Sequence, residues 1–189
     1  MTKSILLVGV GGQGTILASK LLTIGLMQEG YDVKMSEIHG MSQRGGSVSS
    51  QVRYGEAVYS PVIEKGGADV LVSFEKMEAL RWMEYLKKGG QVIVNDYEIN
   101  PMPVIMSIKE YAGDILDEIK AVADTRVVGA SKEAIKLGNG RVMNIILLGT
   151  IVKLMGLEHI DWETIIRENV KPQFVELNNS ALKKGMEMV

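Results

Sequence analysis

The chain opens on an unbroken apolar run, Ile5, Leu6, Leu7 and Val8, that stops at Gly9. A short run bounded by glycine predicts a strand over residues 3–8, buried on both faces as in a parallel sheet. The spacing then changes. Leu17, Leu21, Leu22 and Leu26 recur at helical intervals and Gly30 follows as a left-handed stop, which predicts a helix over 15–29. Residues 32–38 read as a second strand. Strand, glycine turn, helix and strand in this order predict a βαβ unit with two parallel neighbours.

The alternation of Val48 and Val52 with polar residues predicts a strand over 47–53. With a turn at 54–56 and an apolar return over 57–63, it predicts an antiparallel hairpin. Residues 68–73, carrying Val70, Leu71 and Val72, form a further buried strand; 75–88 form a helix closed by Gly89 and Gly90; 91–95 form another strand. Beyond Asn95 the pattern shifts. Pro101 and Pro103 mark a loop around a short extended run, 104–108. A helix over 114–122, a last strand over 126–129 and a helix to 137 capped by Ser131 follow. Residues 142–155 are apolar almost throughout and predict a helix buried on most sides. Asp161 caps a helix over 162–170, and Pro172 precedes a final helix from about 173 to 186. The expected architecture is α/β: a three-layer α/β/α arrangement around a Rossmann-like, mostly parallel sheet, with an inserted antiparallel hairpin and a helical C-terminal third. No linker divides it, so residues 1–189 are expected to form one domain.

Composition removes several functions. The net charge is -2, with 21 basic and 23 acidic residues, so no bulk cationic field exists to hold nucleic acid or an anionic membrane. There is no cysteine, which excludes disulfides, thiolate-held zinc or iron–sulfur clusters and a thiol nucleophile. With His39 and His159 the only histidines, a histidine-built metal site is not expected. The longest apolar stretch, 145–152, is far shorter than the roughly 20 residues a bilayer span needs. The four apolar residues before Gly9 are too few for a signal peptide. A soluble cytoplasmic protein is expected. The 12 methionines read as flexible core filler and contact surface.

The candidate chemistry gathers after the first two strands. Gly9, Gly11 and Gly14 satisfy G-x-G-x-x-G, straight after a strand and opening a helix, with Gly12 and Gln13 between them. Such a turn brings free backbone N–H groups at a helix start to an anion or nucleotide-like group. Glu37, ending the second strand, stands where a ribose-binding acid belongs. The run that follows, Ser36-Glu37-Ile38-His39-Gly40-Met41-Ser42-Gln43-Arg44-Gly45-Gly46-Ser47, is polar and glycine-rich. Arg44 offers a donor fork for carboxylate or phosphate, Gly45 and Gly46 allow close backbone approach, and Gln43 adds a polar contact. His39 is either a proton relay or phosphate partner, or a solvated loop residue. Asn95, at a strand end on the same edge, either touches a ligand or bonds a loop carbonyl. His159, Arg81 and Trp82 read as structural. No residue is singled out as catalytic.

Together the Gly9–Gly14 turn, the 36–47 run, Val52-Arg53, Ser60-Pro61 and Gly67-Ala68-Asp69 resemble the gamma-type subunit of the 2-oxoacid:ferredoxin oxidoreductase family. The form of the 36–47 run is similar to its indolepyruvate branch, where the small subunit is termed beta; the pyruvate and 2-oxoglutarate branches carry a different loop. The resemblance covers essentially the whole chain. It implies a subunit, inactive alone, of a complex that oxidatively decarboxylates an aryl pyruvate with coenzyme A to acyl-CoA, CO2 and reduced ferredoxin. It implies a larger alpha subunit carrying thiamine diphosphate and 4Fe–4S clusters, with coenzyme A at the interface. The absent cysteines and the absent G-D-G…N run agree with that division. Three other readings compete. One is the pyruvate or 2-oxoglutarate branch. Another is a lone NAD-dependent oxidoreductase, for which Tyr85 and Lys88 have the wrong spacing. The third is a non-catalytic NAD- or nucleotide-binding module.

Overall fold

Six strands make one sheet in the spatial order β2-β3-β1-β4-β5-β6 in a computed structural model that describes residues 2–39 and 45–189. The strands are β1 (Lys3–Val10), β2 (Asp32–His39), β3 (Ser47–Gly55), β4 (Ala68–Ser73), β5 (Leu86–Asn95) and β6 (Asp124–Val128). β1, β4, β5 and β6 run parallel, whereas β3 is antiparallel to both its neighbours, β1 and β2. The α/β class and the mostly parallel sheet are as expected. The helical C-terminal third is present as α5 (Ala130–Lys136), α6 (Met143–Leu154), α7 (Trp162–Asn169) and α8 (Val175–Met186).

The apolar runs bury on two sides because alternate β1 residues enter different cores. Ile5 and Leu7 pack with α1 (Thr15–Gln28) and the C-terminal helices. Leu6 and Val8 pack with α2 (Lys76–Trp82) and α4 (Ile115–Val122). This arrangement is the three-layer one. α6 is buried from Met143 to Val152 and crosses α8 with backbone against backbone: a Cβ on Gly185 would sit 2.8 Å from the Ile146 carbonyl carbon and 2.9 Å from Gly149 Cα.

Four expectations are corrected. First, β2 is not β1's neighbour. It runs in the same direction, but β3 lies between them, so the first βαβ unit is split. Second, residues 57–63 form no strand, and β3 takes β2 as its antiparallel partner. Pro61 has no N–H for a ladder, and the segment's backbone is satisfied by side chains instead. Val58 N–H donates to Asp32 (2.8 Å), Ile63 N–H to Gln51 Oε1, and the Arg53 guanidinium donates to the carbonyls of Ser60 and Val62 (3.0 Å each). Gln51 and Arg53 share one face of β3, so polar residues there let an irregular segment cover the sheet without orphaned backbone groups. Third, the helix expected over 75–88 ends at Trp82. A 3-10 turn, Met83–Tyr85, follows, and β5 starts at Leu86. The extended run expected at 104–108 is likewise replaced by the short helix α3 (Met102–Ile105).

Candidate functional site

The glycine turn is built by its neighbours as much as by its glycines. Gln13 folds back so that its Oε1 accepts from Val10 N–H (2.7 Å) while its Nε2 donates to the Phe74 carbonyl (3.0 Å), tying the ends of β1 and β4. Gly9 leaves room for this: a Cβ there would lie 2.8 Å from Gln13 Oε1 and 2.9 Å from Phe74 Cβ. Gly14 caps α1 at φ 84°, and a Cβ on it would meet Asn144 Nδ2 at 2.5 Å. Asn144 in turn donates to the Gly14 carbonyl (3.2 Å), fixing the turn to α6.

Gly11 is bound to the far end of the glycine-rich run. Its N–H donates to the Gly46 carbonyl (2.8 Å), and Gly45 N–H donates to the Gly11 carbonyl (3.2 Å). These bonds continue the β1–β3 ladder past Val10 and Ser47. The Gly11 N–H is therefore spent inside the protein and is no anion donor. Ser47 is anchored as well, since its hydroxyl donates to the buried Glu78 carboxylate, which also accepts from Trp82 Nε1 (3.2 Å) and pairs with Arg81 (3.2 Å). Trp82 and Arg81 thus act structurally, gripping the start of β3. Gln43 and Arg44 lie outside the described residues.

Glu37 and His39 end β2 opposite Ser50 and Val48. With Gly11, Gly12 and Gly14 they line a cavity of about 350 Å3 between the turn and the β2–β3 edge. On its other side the same turn lines a larger cavity, about 740 Å3, with Tyr97, Ile99, Ser131, Ile135, Arg141 and Met143. Asn95 enters neither. It is fully buried, its Nδ2 donating to the Phe74 carbonyl (3.1 Å) and Ser131 Oγ (2.9 Å) while its Oδ1 accepts from Ser131 N–H (3.2 Å). Asn95 and Gln13 converge on one carbonyl and lock the carboxyl ends of β1, β4 and β5 beneath both cavities. Ser131, expected as a cap, sits inside α5 and serves this bracket. Sequence reasoning missed Arg141 and Tyr97, which nothing in local sequence ties to the turn. His159 pairs with Glu29 at 2.9 Å across the protein surface, away from the turn.

The geometry is that of an α/β crevice at the carboxyl edge of a sheet, where such folds take ligands. The family model for pyruvate ferredoxin/flavodoxin oxidoreductase matches residues 4–188. The chain belongs to this family. Among its relatives, the indolepyruvate oxidoreductase subunit IorB of Pyrococcus horikoshii is 40% identical, covering 97% of this chain and 94% of that one. The 2-oxoglutarate synthase subunit KorC of Methanothermobacter marburgensis is 27% identical, covering 100% and 97%. The crystal structure of a keto/oxoacid ferredoxin oxidoreductase gamma subunit from Geobacter sulfurreducens is similar at TM-score 0.71 and 26% identity, over 98% of this chain and 97% of that one. Among the described residues no group of three or more His, Asp or Glu is placed to hold a metal ion, and no helix is long and apolar enough to cross a membrane.

Proposed function

We propose that this chain is the small subunit of an indolepyruvate, or aryl pyruvate, ferredoxin oxidoreductase. The observation that carries the reading is the full-length 40% identity to an indolepyruvate oxidoreductase subunit, against 27% to a 2-oxoglutarate synthase subunit. In the reaction the bond between the 2-oxoacid's carbonyl and carboxylate carbons breaks and CO2 leaves. The acyl group forms a thioester with coenzyme A, whose thiol proton is released, and the electrons reduce ferredoxin. Iron–sulfur clusters are held by thiolates, and a chain with no cysteine does not fit them. The clusters, and with them thiamine diphosphate, sit on a larger partner subunit that passes electrons to ferredoxin.

What this chain supplies is a rigid wall. The Gln13–Phe74–Asn95 bracket fixes the glycine turn, and the Gly11–Gly45–Gly46 ladder carries that position to the foot of the glycine-rich run. Placed against the partner, this edge closes the coenzyme A site and keeps water from the acyl group. The test is anaerobic affinity purification of the tagged chain from its own organism, with identification of what comes with it and assay of indolepyruvate-dependent ferredoxin reduction. A cysteine-rich larger subunit and coenzyme A-dependent activity are expected. Recovery of the chain alone, with saturable NAD binding, would favour the nucleotide-binding module.

A further inference from the structure

The exposed apolar side chains are not evenly scattered. Of the fifteen large ones exposed among the described residues, Met102, Ile105, Met106 and Ile108 fall within seven consecutive positions, each more than three-fifths exposed. Met102, Ile105 and Met106, on α3 and its C-cap, follow the i, i+3, i+4 spacing of one helical face. Single exposed apolar residues are ordinary, whereas a contiguous patch of roughly a few hundred Å2 marks an interaction surface.

The segment is held outward by its two ends. Glu75, fully buried, accepts from Ile99 N–H (3.2 Å) before α3 and from the Tyr111 hydroxyl after it, and from Glu78 N–H (2.9 Å) at the start of α2. The Tyr111 hydroxyl accepts in turn from Met77 N–H (3.1 Å). Lys76 N–H donates to the Tyr97 carbonyl (3.0 Å), and the Lys76 ammonium pairs with Asp96 and Glu98. Between these ends, Ile108 and Lys109 N–H both donate to the Pro103 carbonyl (2.9 and 3.1 Å), and Ser107 takes φ 56°, the one positive φ outside glycine among the described residues. A side chain stays in that region only where its surroundings hold it there.

Position and area say what covers this arm. It leaves the carboxyl end of β5, and Tyr97 and Ile99 at its root line the larger cavity beside the glycine turn, so it is continuous with the edge placed against the partner subunit. With the exposed Tyr97 and Ile135 of that edge, the patch reaches about the 500 Å2 per partner that a specific interface needs. Lys109 and Glu110 beside it are exposed and supply a polar rim. We infer that residues 101–109 are a docking arm, whose apolar helical face seats in an apolar groove of the larger subunit. The inference rests on the proposed function, which supplies that subunit, and adds a contact outside the glycine turn. Because the arm is ordered in advance, docking it costs little conformational entropy.

The test compares tagged full-length chains co-expressed with the larger subunit and purified anaerobically: wild type, the double variant Ile105→Glu with Ile108→Glu, and the control Val122→Glu. Val122 is more exposed than either isoleucine but lies at the amino edge, before β6. Wild type and control are expected to recover the larger subunit equally, and the double variant about a tenth as much or less, the effect of losing interface anchors. Equal melting temperatures of the three chains alone separate lost docking from lost folding. In wild type, amide hydrogen exchange across 101–109 should be about tenfold slower or more in the complex than in the chain alone. Undiminished recovery by the double variant, or exchange as fast in the complex as in the free chain, overturns the inference while the subunit reading stands. Wild type that recovers no larger subunit overturns both. An arm protected in the chain alone, with dimerisation that the double variant abolishes, assigns the patch to a second copy and overturns the inference.

Discussion

Replacing Gly185 by alanine probes the close crossing of α6 and α8. The new methyl would point at the α6 backbone, 2.8 Å from the Ile146 carbonyl carbon, 2.9 Å from Gly149 Cα and closer still to the Ile146 oxygen. All three are main-chain atoms in a helix whose buried residues run from Met143 to Val152, so none can swing aside. Relief requires α6 and α8 to separate by about an ångström, which loosens the contacts of Leu182 and Ala181 with the core on the same helix. Overpacking of this kind costs typically about 1–3 kcal/mol and occasionally more, and unyielding backbone places this site at the upper end. Alanine returns about 1 kcal/mol through helix propensity. The net loss is about 2 kcal/mol, or a fall of about 4–8 °C in Tm for a chain of this size. Calorimetry of the purified chain measures it. Adding Gly149→Ala should cost less than the sum of the two single changes, because the helices are already apart. An unchanged or raised Tm for Gly185→Ala would refute the reasoning, since propensity alone would then decide.

Further outcomes follow from the brackets and the buried ionisable groups. Asn95→Ala leaves Ser131 N–H and the Phe74 carbonyl short of a partner and should cost about 1–3 kcal/mol; a Tm within 1 °C of wild type would show that the bracket is dispensable. Arg53→Met removes the donors to Ser60 and Val62, so local opening of residues 56–67 and tryptic cleavage after Lys65 should rise about tenfold or more; an unchanged cleavage rate would contradict this. Burial pushes the Tyr54 phenol up to about 12, with the Tyr31 and Asp69 charges adding to it. An unfolded tyrosine ionises near about 10, so between those values the unfolded state alone sheds its proton and stability falls as pH rises. Urea melts at both ends of that window should show Tyr54→Phe losing less stability than wild type; equal losses would count against it.

Sequence pattern carried the fold where one physical cause acts alone. The Ile5–Val8 run, the Leu17–Leu26 spacing, the apolar 142–155 stretch and the Asp161 cap, which accepts from Thr164 N–H at 3.1 Å, all lie where the residues place them. It failed where partners are distant. Nothing in residues 32–38 or 47–53 says that β3 inserts between β1 and β2. Nor does the apolar content of 57–63 reveal that Gln51, Arg53 and Asp32 replace a strand partner. The same division holds at the site. The glycine turn was legible because Gly9, Gly11 and Gly14 are close in sequence. That Asn95 serves Phe74 rather than a cavity, that Gln13 bonds Phe74 while lining the turn's larger cavity, and that Arg141 shares that cavity depends on contacts across the whole chain.

The most direct test of the assignment is substrate preference in the complex this chain forms. Ferredoxin reduction by the anaerobically purified complex is followed with indolepyruvate, pyruvate and 2-oxoglutarate, each with and without coenzyme A. The account predicts coenzyme A-dependent activity with the highest kcat/KM for indolepyruvate, and none from this chain alone. A higher kcat/KM for 2-oxoglutarate or pyruvate would contradict it.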